Sequence, residues 1–296
     1  MPRSGQDSKD GAVGRACQAY YLSLGDSLST GVQPIGPEAW QFRTDEGYAD
    51  QLAELARRHN PGLQVVKLGF PGESTTTMID GSLGEYVHGS QLREAVAFLR
   101  EHRGSVAFVT IDIGFNDVPT RDLNGLVLGM SAVSRNLPGI LSELRKAAGP
   151  TTPIVGMTIY DPLLAGWLEG QEGRELARLS VFGAVLPMNA HLAQIYRTAG
   201  MAVADVEGAF STTDFETMIS MEGIGAVPLN VARVLDWTWA GTPPPLGPDM
   251  HANALGYRAI AEAFAEVLFV PGPKCEPNPS VTAPHSDRAA PLAVDQ

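Results

Sequence analysis

The chain alternates short, continuous apolar runs with longer segments in which apolar residues recur every three or four positions. The runs are rich in β-branched residues and bounded by glycine or proline, which is typical of buried strands; they lie at residues 19–24, 63–69, 105–113, 153–160 and 201–206. The longer segments carry the apolar stripe of amphipathic helices; they lie at residues 47–59, 89–102, 123–148, 175–198 and 253–269.

Strands that alternate with helices predict an α/β fold built on a parallel sheet with helices on both faces. The crossovers between neighbouring strands should be right-handed. Ligands of such sheets bind beyond the carboxyl ends of the strands. The residues that directly follow each predicted strand are therefore where functional side chains are expected.

The two ends of the chain and one internal segment do not fit the alternating pattern. Residues 1–18 are polar and residues 271–296 contain six prolines, so both are predicted to be disordered, with one domain over residues 19–270. Residues 209–245 form an excursion before the last helix that is rich in apolar and aromatic residues. Two interpretations of this excursion stay open: a cap whose apolar face forms an acyl pocket, and an ordinary packed insertion.

Composition narrows the range of partners. Of the 296 residues, 44% are hydrophobic and 18% are charged, as in ordinary soluble proteins. The formal net charge of −12 at pH 7 argues against nucleic acid or an anionic membrane surface as the main partner. The two cysteines, Cys17 and Cys275, lie in the end segments and fit either one disulfide or two free thiols.

The expected location follows from what the sequence lacks. No apolar stretch reaches the roughly 18 to 20 residues that span a bilayer, and the polar N-terminus does not read as a signal peptide. A cytoplasmic protein is the default expectation, and a secreted one stays open if a signal was trimmed. The oligomeric state is left open.

Four places next to predicted elements carry residues suited to acyl transfer. Ser27, within Gly-Asp-Ser-Leu, follows the first strand; Gly72 and Asn116 follow the second and third; His251 precedes the last helix. A serine hydroxyl needs a base, and an imidazole supplies one near neutral pH. The oxyanion then needs donors, which a backbone N–H beside glycine and an asparagine amide provide. Each feature alone is also typical of a turn, a cap or a structural histidine, but their ordered occurrence favours catalysis.

At these places the chain resembles the SGNH, or GDSL-type, hydrolases, which are named for Ser, Gly, Asn and His in four separate sequence blocks. Ser27, Gly72, Asn116 and His251 match the four blocks over about residues 20–270. The resemblance implies a three-layer α/β/α sandwich of flavodoxin-like topology with about five parallel strands, and no metal or organic cofactor. It also implies Ser27 as nucleophile, His251 as general base, and an oxyanion hole of the Ser27 and Gly72 N–H groups and the Asn116 side chain.

The chain departs from the family pattern in two places. The acid usually stands three residues before the histidine, where this chain has Pro248, and the nearest carboxylate is Asp249. Either Asp249 or a backbone carbonyl could orient His251, and both alternatives stay open. Leu68 occupies a position where the family commonly has an asparagine.

The expected activity is that of a serine esterase or lipase, a carboxylic ester hydrolase acting on a small-molecule acyl ester or lipid. Trp237 and Trp239 in the excursion, and Trp40 in the loop after the nucleophile, are predicted to line the acyl pocket. Asp26 and Asp117 are predicted to be structural. Other activities stay open: carbohydrate acetylesterase, thioesterase, acyltransferase, or a non-catalytic lipid- or glycan-binding protein on the same scaffold.

Overall fold

A computed structural model describes residues 18–34, 43–120 and 122–269. Trp40, Cys17, Cys275 and almost all of the two predicted terminal segments lie outside these residues. The division of the chain into one domain and two disordered ends therefore stays a prediction.

All five predicted strands are present and form one parallel sheet. They are β1 (Tyr20–Gly25), β2 (Gln64–Lys67), β3 (Val106–Asp112), β4 (Ile154–Met157) and β5 (Ala202–Ala204). The strand order is β2-β1-β3-β4-β5, which is the flavodoxin-like order and confirms the predicted fold class. Because the chain adds strands first on one side of β1 and then on the other, the carboxyl ends of β1 and β3 flank a topological switch point, where ligands bind.

The described residues form nine α-helices, and the longer ones coincide with the predicted amphipathic segments. They are α1 (Tyr48–Arg57), α2 (Thr75–Asp80), α3 (Gln91–Glu101), α4 (Leu123–Ala148), α5 (Gly170–Ser180), α6 (Leu186–Thr198), α7 (Val206–Ala209), α8 (Leu229–Trp237) and α9 (Ala254–Leu268). A π-helical turn at Val181–Val185 joins α5 to α6, and 3-10 helices lie at Phe115–Asp117 and Pro162–Glu169. In the described part of the chain, no helix is both long and apolar enough to cross a membrane.

Side chains of the central strands alternate between two apolar clusters, one on each face of the sheet. In β1, Tyr21 belongs to the cluster covered by α1 and α9, whereas Leu22 and Leu24 belong to the cluster covered by α3, α4 and α6. Successive side chains of a strand point to opposite faces, so a strand buried on both sides reads as a continuous apolar run. The result is three layers with the sheet in the middle.

The excursion at residues 209–245 packs onto this framework. It contains an antiparallel hairpin of β6 (Met218–Met221) and β7 (Gly225–Pro228), followed by α8. Phe210, Val231 and Val234 are fully buried in the cluster that also contains α1 and α9. Packing explains these buried residues, but Met218 and Ile219 of the hairpin are exposed, so both interpretations of the excursion stay open.

Candidate active site

The predicted nucleophile lies in a tight turn at the carboxyl end of β1. Gly25 has φ +129°, and a Cβ at that position would lie 2.0 Å from the carbonyl oxygen of Asp112, so only glycine fits there. Asp26 Oδ1 accepts a hydrogen bond from the Leu28 N–H at 3.0 Å, and the Asp26 N–H donates to the Asp112 carbonyl at 3.2 Å. These contacts hold Ser27 at the tip of the turn, where its side chain borders a cavity.

A buried glutamine holds the strand end from which this turn begins. Gln91, in the first turn of α3, accepts from the Gly25 N–H at 2.7 Å and donates from Nε2 to the Gly25 carbonyl at 3.0 Å. The side-chain amide therefore pairs with the strand as another strand would. Gln91 Nε2 also donates to Glu73 Oε2 at 3.1 Å, which ties the strand end to the segment that carries Gly72.

His251 is oriented by the acid candidate that precedes it by two residues. The distance between His251 Nδ1 and Asp249 Oδ1 is 2.7 Å, and the same oxygen accepts from the His251 backbone N–H at 2.8 Å. Trp239 holds this loop through its backbone, because its carbonyl accepts from the Asp249 N–H and its N–H donates to the His251 carbonyl, both at 3.0 Å. The imidazole is 6% exposed and borders the same cavity as Ser27.

The two other predicted oxyanion donors lie around the same cavity. Gly72 has φ +83°, a backbone conformation that favours glycine. Asn116 lies in a 3-10 helix after β3, and its Nδ2 donates to the Glu73 carbonyl at 3.0 Å and to Asp26 Oδ2 at 3.1 Å. The orientation of the Asn116 amide is therefore set by the segments that carry Gly72 and Ser27.

The cavity at the carboxyl edge of the sheet has a volume of about 250 Å³ and a mixed lining. Its apolar walls come from Leu28, Pro71, Ile113, Phe115, Met157, Ile159, Pro162 and Met250. Trp237 and Trp239, predicted to bind substrate, are not among the lining residues. Trp237 packs edge-on against Phe210 at 5.2 Å between ring centroids, and Trp239 Nε1 donates to Gln33 Oε1 at 3.3 Å. Both tryptophans thus support the excursion and the His251 loop.

Two cavity residues were missed by the sequence reasoning. Tyr160, which follows β4, donates its hydroxyl hydrogen to the Met250 carbonyl at 2.8 Å beside His251. Tyr160 could have been predicted from its position after a strand, because β4 ends at the same edge of the sheet as β1 and β3. Asp112 is the last residue of β3 and lies under the Ser27 turn. The sequence indicated Asp112 only as an acidic residue within a predicted buried strand.

Burial shapes the electrostatics of the site. It raises the pKa of Asp26, and burial together with the neighbouring Asp26 charge raises the pKa of Asp112 well above its usual range. Burial likewise keeps the pKa of Tyr160 far above neutrality, so the Tyr160 hydroxyl remains a donor. Among the described residues, no group of three His, Cys, Asp or Glu side chains is arranged to hold a metal ion.

The fold and the cavity define the class: a three-layer α/β/α protein whose serine and histidine border one cavity at the carboxyl edge of a parallel sheet. The model of the GDSL-like lipase/acylhydrolase family matches residues 23–259. The chain belongs to that family.

Solved structures similar to this chain include hydrolases of the same fold. An extracellular lipase from Streptomyces rimosus shares 18% identity at a TM-score of 0.51, covering 83% of this chain and 99% of its own. A structural-genomics protein from Bacillus subtilis shares 15% identity at a TM-score of 0.50, and the match covers 85% of this chain and 56% of that protein. Phospholipase A1 from Streptomyces albidoflavus shares 20% identity at a TM-score of 0.46, and the match covers 83% of this chain and 99% of that protein. The first two likenesses show the fold alone, and no curated protein sequence matches the chain.

Proposed function

We propose that the protein is a serine esterase that cleaves carboxylic acyl esters through an acyl-enzyme on Ser27. The observation that carries the proposal is that Ser27, Gly72, Asn116 and His251 all border one cavity. The 2.7 Å contact between His251 Nδ1 and Asp249 Oδ1 supports Asp249 as the orienting acid. A histidine held in this way presents its other ring nitrogen as a base.

In the acylation step, His251 takes the proton from Ser27 as the serine oxygen attacks the acyl carbonyl. In the free protein the Ser27 hydroxyl donates a long hydrogen bond of 3.5 Å to Asp26 Oδ1. Substrate binding is expected to bring this hydroxyl to the imidazole, because catalytic hydrogen bonds often tighten only in the complex. The alcohol then leaves with the proton that His251 returns to it, and the acyl group stays on Ser27.

The negative charge of the tetrahedral intermediate requires donors already in place. The Ser27 and Gly72 backbone N–H groups and the Asn116 amide serve as these donors. In the free protein Asn116 Nδ2 donates to the Glu73 carbonyl and to Asp26 Oδ2, so the oxyanion is expected to share one of these two hydrogen bonds. In the second half of the reaction, His251 activates water, and the acyl group is released as a carboxylic acid.

The cavity supports an apolar acyl group of modest length as the substrate group. Its walls are mainly aliphatic and aromatic, which favours a hydrocarbon chain over a bare acetyl group. Its volume of about 250 Å³ lies below the roughly 300–1,000 Å³ of pockets that enclose drug-sized ligands. We therefore expect butyryl to medium-chain esters to react faster than acetyl esters or very long ones.

The rival proposal is a binding protein that recognises a lipid or glycan without turnover. An activated serine reacts with a fluorophosphonate, whereas an inert serine does not. Covalent labelling of wild type, Ser27→Ala and the matched control Ser131→Ala, an exposed serine on α4, separates the two proposals. We expect label on wild type and on the control, and none on Ser27→Ala.

The same three proteins should be assayed on nitrophenyl esters from acetyl to long-chain acyl. We expect turnover by wild type and the control, with the highest kcat/KM near butyryl, and a loss of activity of several orders of magnitude in Ser27→Ala. Strict acetyl preference would contradict the acyl pocket. Absence of both labelling and turnover would favour the binding protein.

A further inference from the structure

Asp112 is a buried carboxyl group to which the proposed reaction assigns no role. It ends β3 and is 3% exposed, beside Asp26, which is 4% exposed. The Asp112 side chain lies against the backbone of Gly25, where a Cβ would come within 2.2 Å of Asp112 Oδ1. Two acidic side chains are therefore packed together directly beneath the turn that carries Ser27.

The two oxygens of Asp112 have different surroundings. Oδ1 accepts a hydrogen bond from the Tyr48 hydroxyl at 2.7 Å. Oδ2 is buried, and no N–H or O–H group of the described residues donates to it. Besides the Tyr48 hydroxyl, the Asp26 carboxyl is close enough to interact with the Asp112 side chain. Two ionised carboxylates have only acceptors, so this contact requires one proton between them.

The partners of Asp26 decide which residue carries that proton. Asp26 Oδ1 accepts from the Leu28 N–H and, weakly, from the Ser27 hydroxyl, while Asp26 Oδ2 accepts from Asn116 Nδ2. Both oxygens of Asp26 are thus used as acceptors, as in an ionised carboxylate. Asp112 has one oxygen without a donor, which is the position of an acid O–H.

The surrounding charges agree with this assignment. Burial raises the pKa of both groups, and the neighbouring Asp26 charge further raises the pKa of Asp112. No lysine or arginine among the described residues forms an ion pair with either carboxyl. Like-charged carboxyl groups in contact commonly share one proton for this reason.

We propose that Asp112 is protonated at neutral pH and donates from Oδ2 to the Asp26 carboxylate, making Asp112 a positioning residue for the Ser27 turn and the Asn116 amide. The pair then carries one negative charge beneath the site, and an oxyanion formed beside Asn116 meets less repulsion than two charges would exert. No proton is transferred during turnover. This inference deepens the proposed esterase function, but the protonation state can be tested without any activity.

The direct test is infrared difference spectroscopy of wild type against Asp112→Asn at about pH 8, well above the ordinary carboxyl pKa of about 4. We expect wild type to show the carbonyl stretch of a protonated acid, shifted in D₂O, that Asp112→Asn lacks. Glu73→Gln is the matched control, because Glu73 is also buried with one oxygen lacking a donor; it should retain the Asp112 band. A wild-type spectrum without that band at this pH overturns the proposal.

The positioning role is tested by comparing Asp112→Asn with Asp112→Leu. Asparagine offers Asp26 an N–H and Tyr48 a carbonyl, so kcat on nitrophenyl butyrate should stay within about threefold of wild type. Leucine offers neither, and kcat should fall by roughly ten- to a hundredfold while KM changes little. An equal loss of kcat in both variants overturns the positioning role. If Asp112→Leu fails to fold, Asp112→Asn alone decides, because the role requires that this variant stay active. If wild type has no esterase activity, the infrared band still decides the protonation.

Discussion

At the scale of single residues, the His251 ring is held by an unusually short loop of chain. One oxygen of Asp249 accepts both the backbone N–H and the ring Nδ1–H of the residue two positions later. This arrangement is an Asx turn, in which a short acidic side chain folds back on its own backbone. It explains how an acid placed one position nearer than the family pattern can still reach the imidazole.

Asp249→Asn should lower kcat on nitrophenyl butyrate by about three to four orders of magnitude, with a small change in KM. An asparagine amide can hold the ring in the wrong tautomer and cannot stabilise the imidazolium, and the loss in a comparable triad is about 10⁴-fold. The matched control is Asp122→Asn, an exposed cap of α4 whose carboxylate accepts from the Gly125 N–H. Asparagine caps helices as well as aspartate does, so this control should keep wild-type activity. A near-normal kcat in Asp249→Asn would favour a backbone carbonyl as the orienting group.

Residues at strand ends could be predicted from the sequence, whereas residues defined by a contact across the fold could not. Ser27, Gly72 and Asn116 follow strands, so the topology alone brings them to one edge. Asp112 was missed because its proximity to Asp26 depends on the pairing of β1 with β3. Trp237 and Trp239 were predicted to line the cavity because large aromatic side chains suit either a pocket or a core, and only the packing distinguishes the two.

At the scale of elements, two helices hold strand ends through side-chain amides. Gln91 of α3 pairs with both backbone groups of Gly25, and Asn189 of α6 pairs in the same way with Ile159, at 2.7 Å to its N–H and 2.9 Å to its carbonyl. Gly25 is the last residue of β1 and Ile159 lies two residues beyond β4, so both stand where the regular strand pairing ends. The cavity walls therefore depend on helices from the face of the sheet that carries α3, α4 and α6.

Asn189→Leu should lower the free energy of unfolding by about 2–4 kcal/mol, because it leaves the buried N–H and carbonyl of Ile159 unpaired. Since Ile159 and Tyr160 line the cavity, the variant should also lose discrimination between butyryl and longer esters. Chemical denaturation and the ester series measure the two effects. Gln194→Leu, an exposed residue of the same helix, is the control. Equal stability changes in the two variants would contradict the role given to Asn189.

Most of the elements that the sequence did not predict are short, and the longest helix among them is α8 with nine residues. The strands of the β6–β7 hairpin have four residues each, and α2 has six. Windows of this length do not contain enough apolar positions to establish a period. The α2 helix begins at a capping box in which Ser74 and Thr77 exchange hydrogen bonds, and the usual sequence signature has glutamate or glutamine at the second position. The central strands β1, β3 and β4 and the long helices were predicted because they bury continuous apolar residues.

At the scale of the whole molecule, the protein buries carboxyl groups while carrying a net charge of −12. Full or partial burial raises the pKa of seven carboxyl groups from their ordinary values; these are Asp26, Asp50, Glu73, Asp112, Asp117, Asp161 and Glu207. Hydrogen bonds lower the pKa of four carboxyl groups at the surface, Asp80, Asp122, Glu143 and Asp214, but solvent screens their contribution to stability. The buried set therefore dominates the dependence of stability on pH.

The melting temperature should be higher at about pH 5.5 than at about pH 8. Between the unfolded carboxyl pKa of about 4 and the higher pKa of the folded state, the folded protein binds more protons than the unfolded chain. The stability from the raised pKa values is thus complete below about pH 4 and is lost as the pH rises through the folded pKa, and growing negative charge adds to the loss. Thermal unfolding across this range measures the trend. Asp112→Asn should shrink the difference between the two pH values, whereas Glu101→Gln, which removes one exposed charge, should leave it unchanged. A melting temperature that does not fall between the two pH values would mean that the folded protein holds no excess protons on these carboxyl groups, Asp112 included.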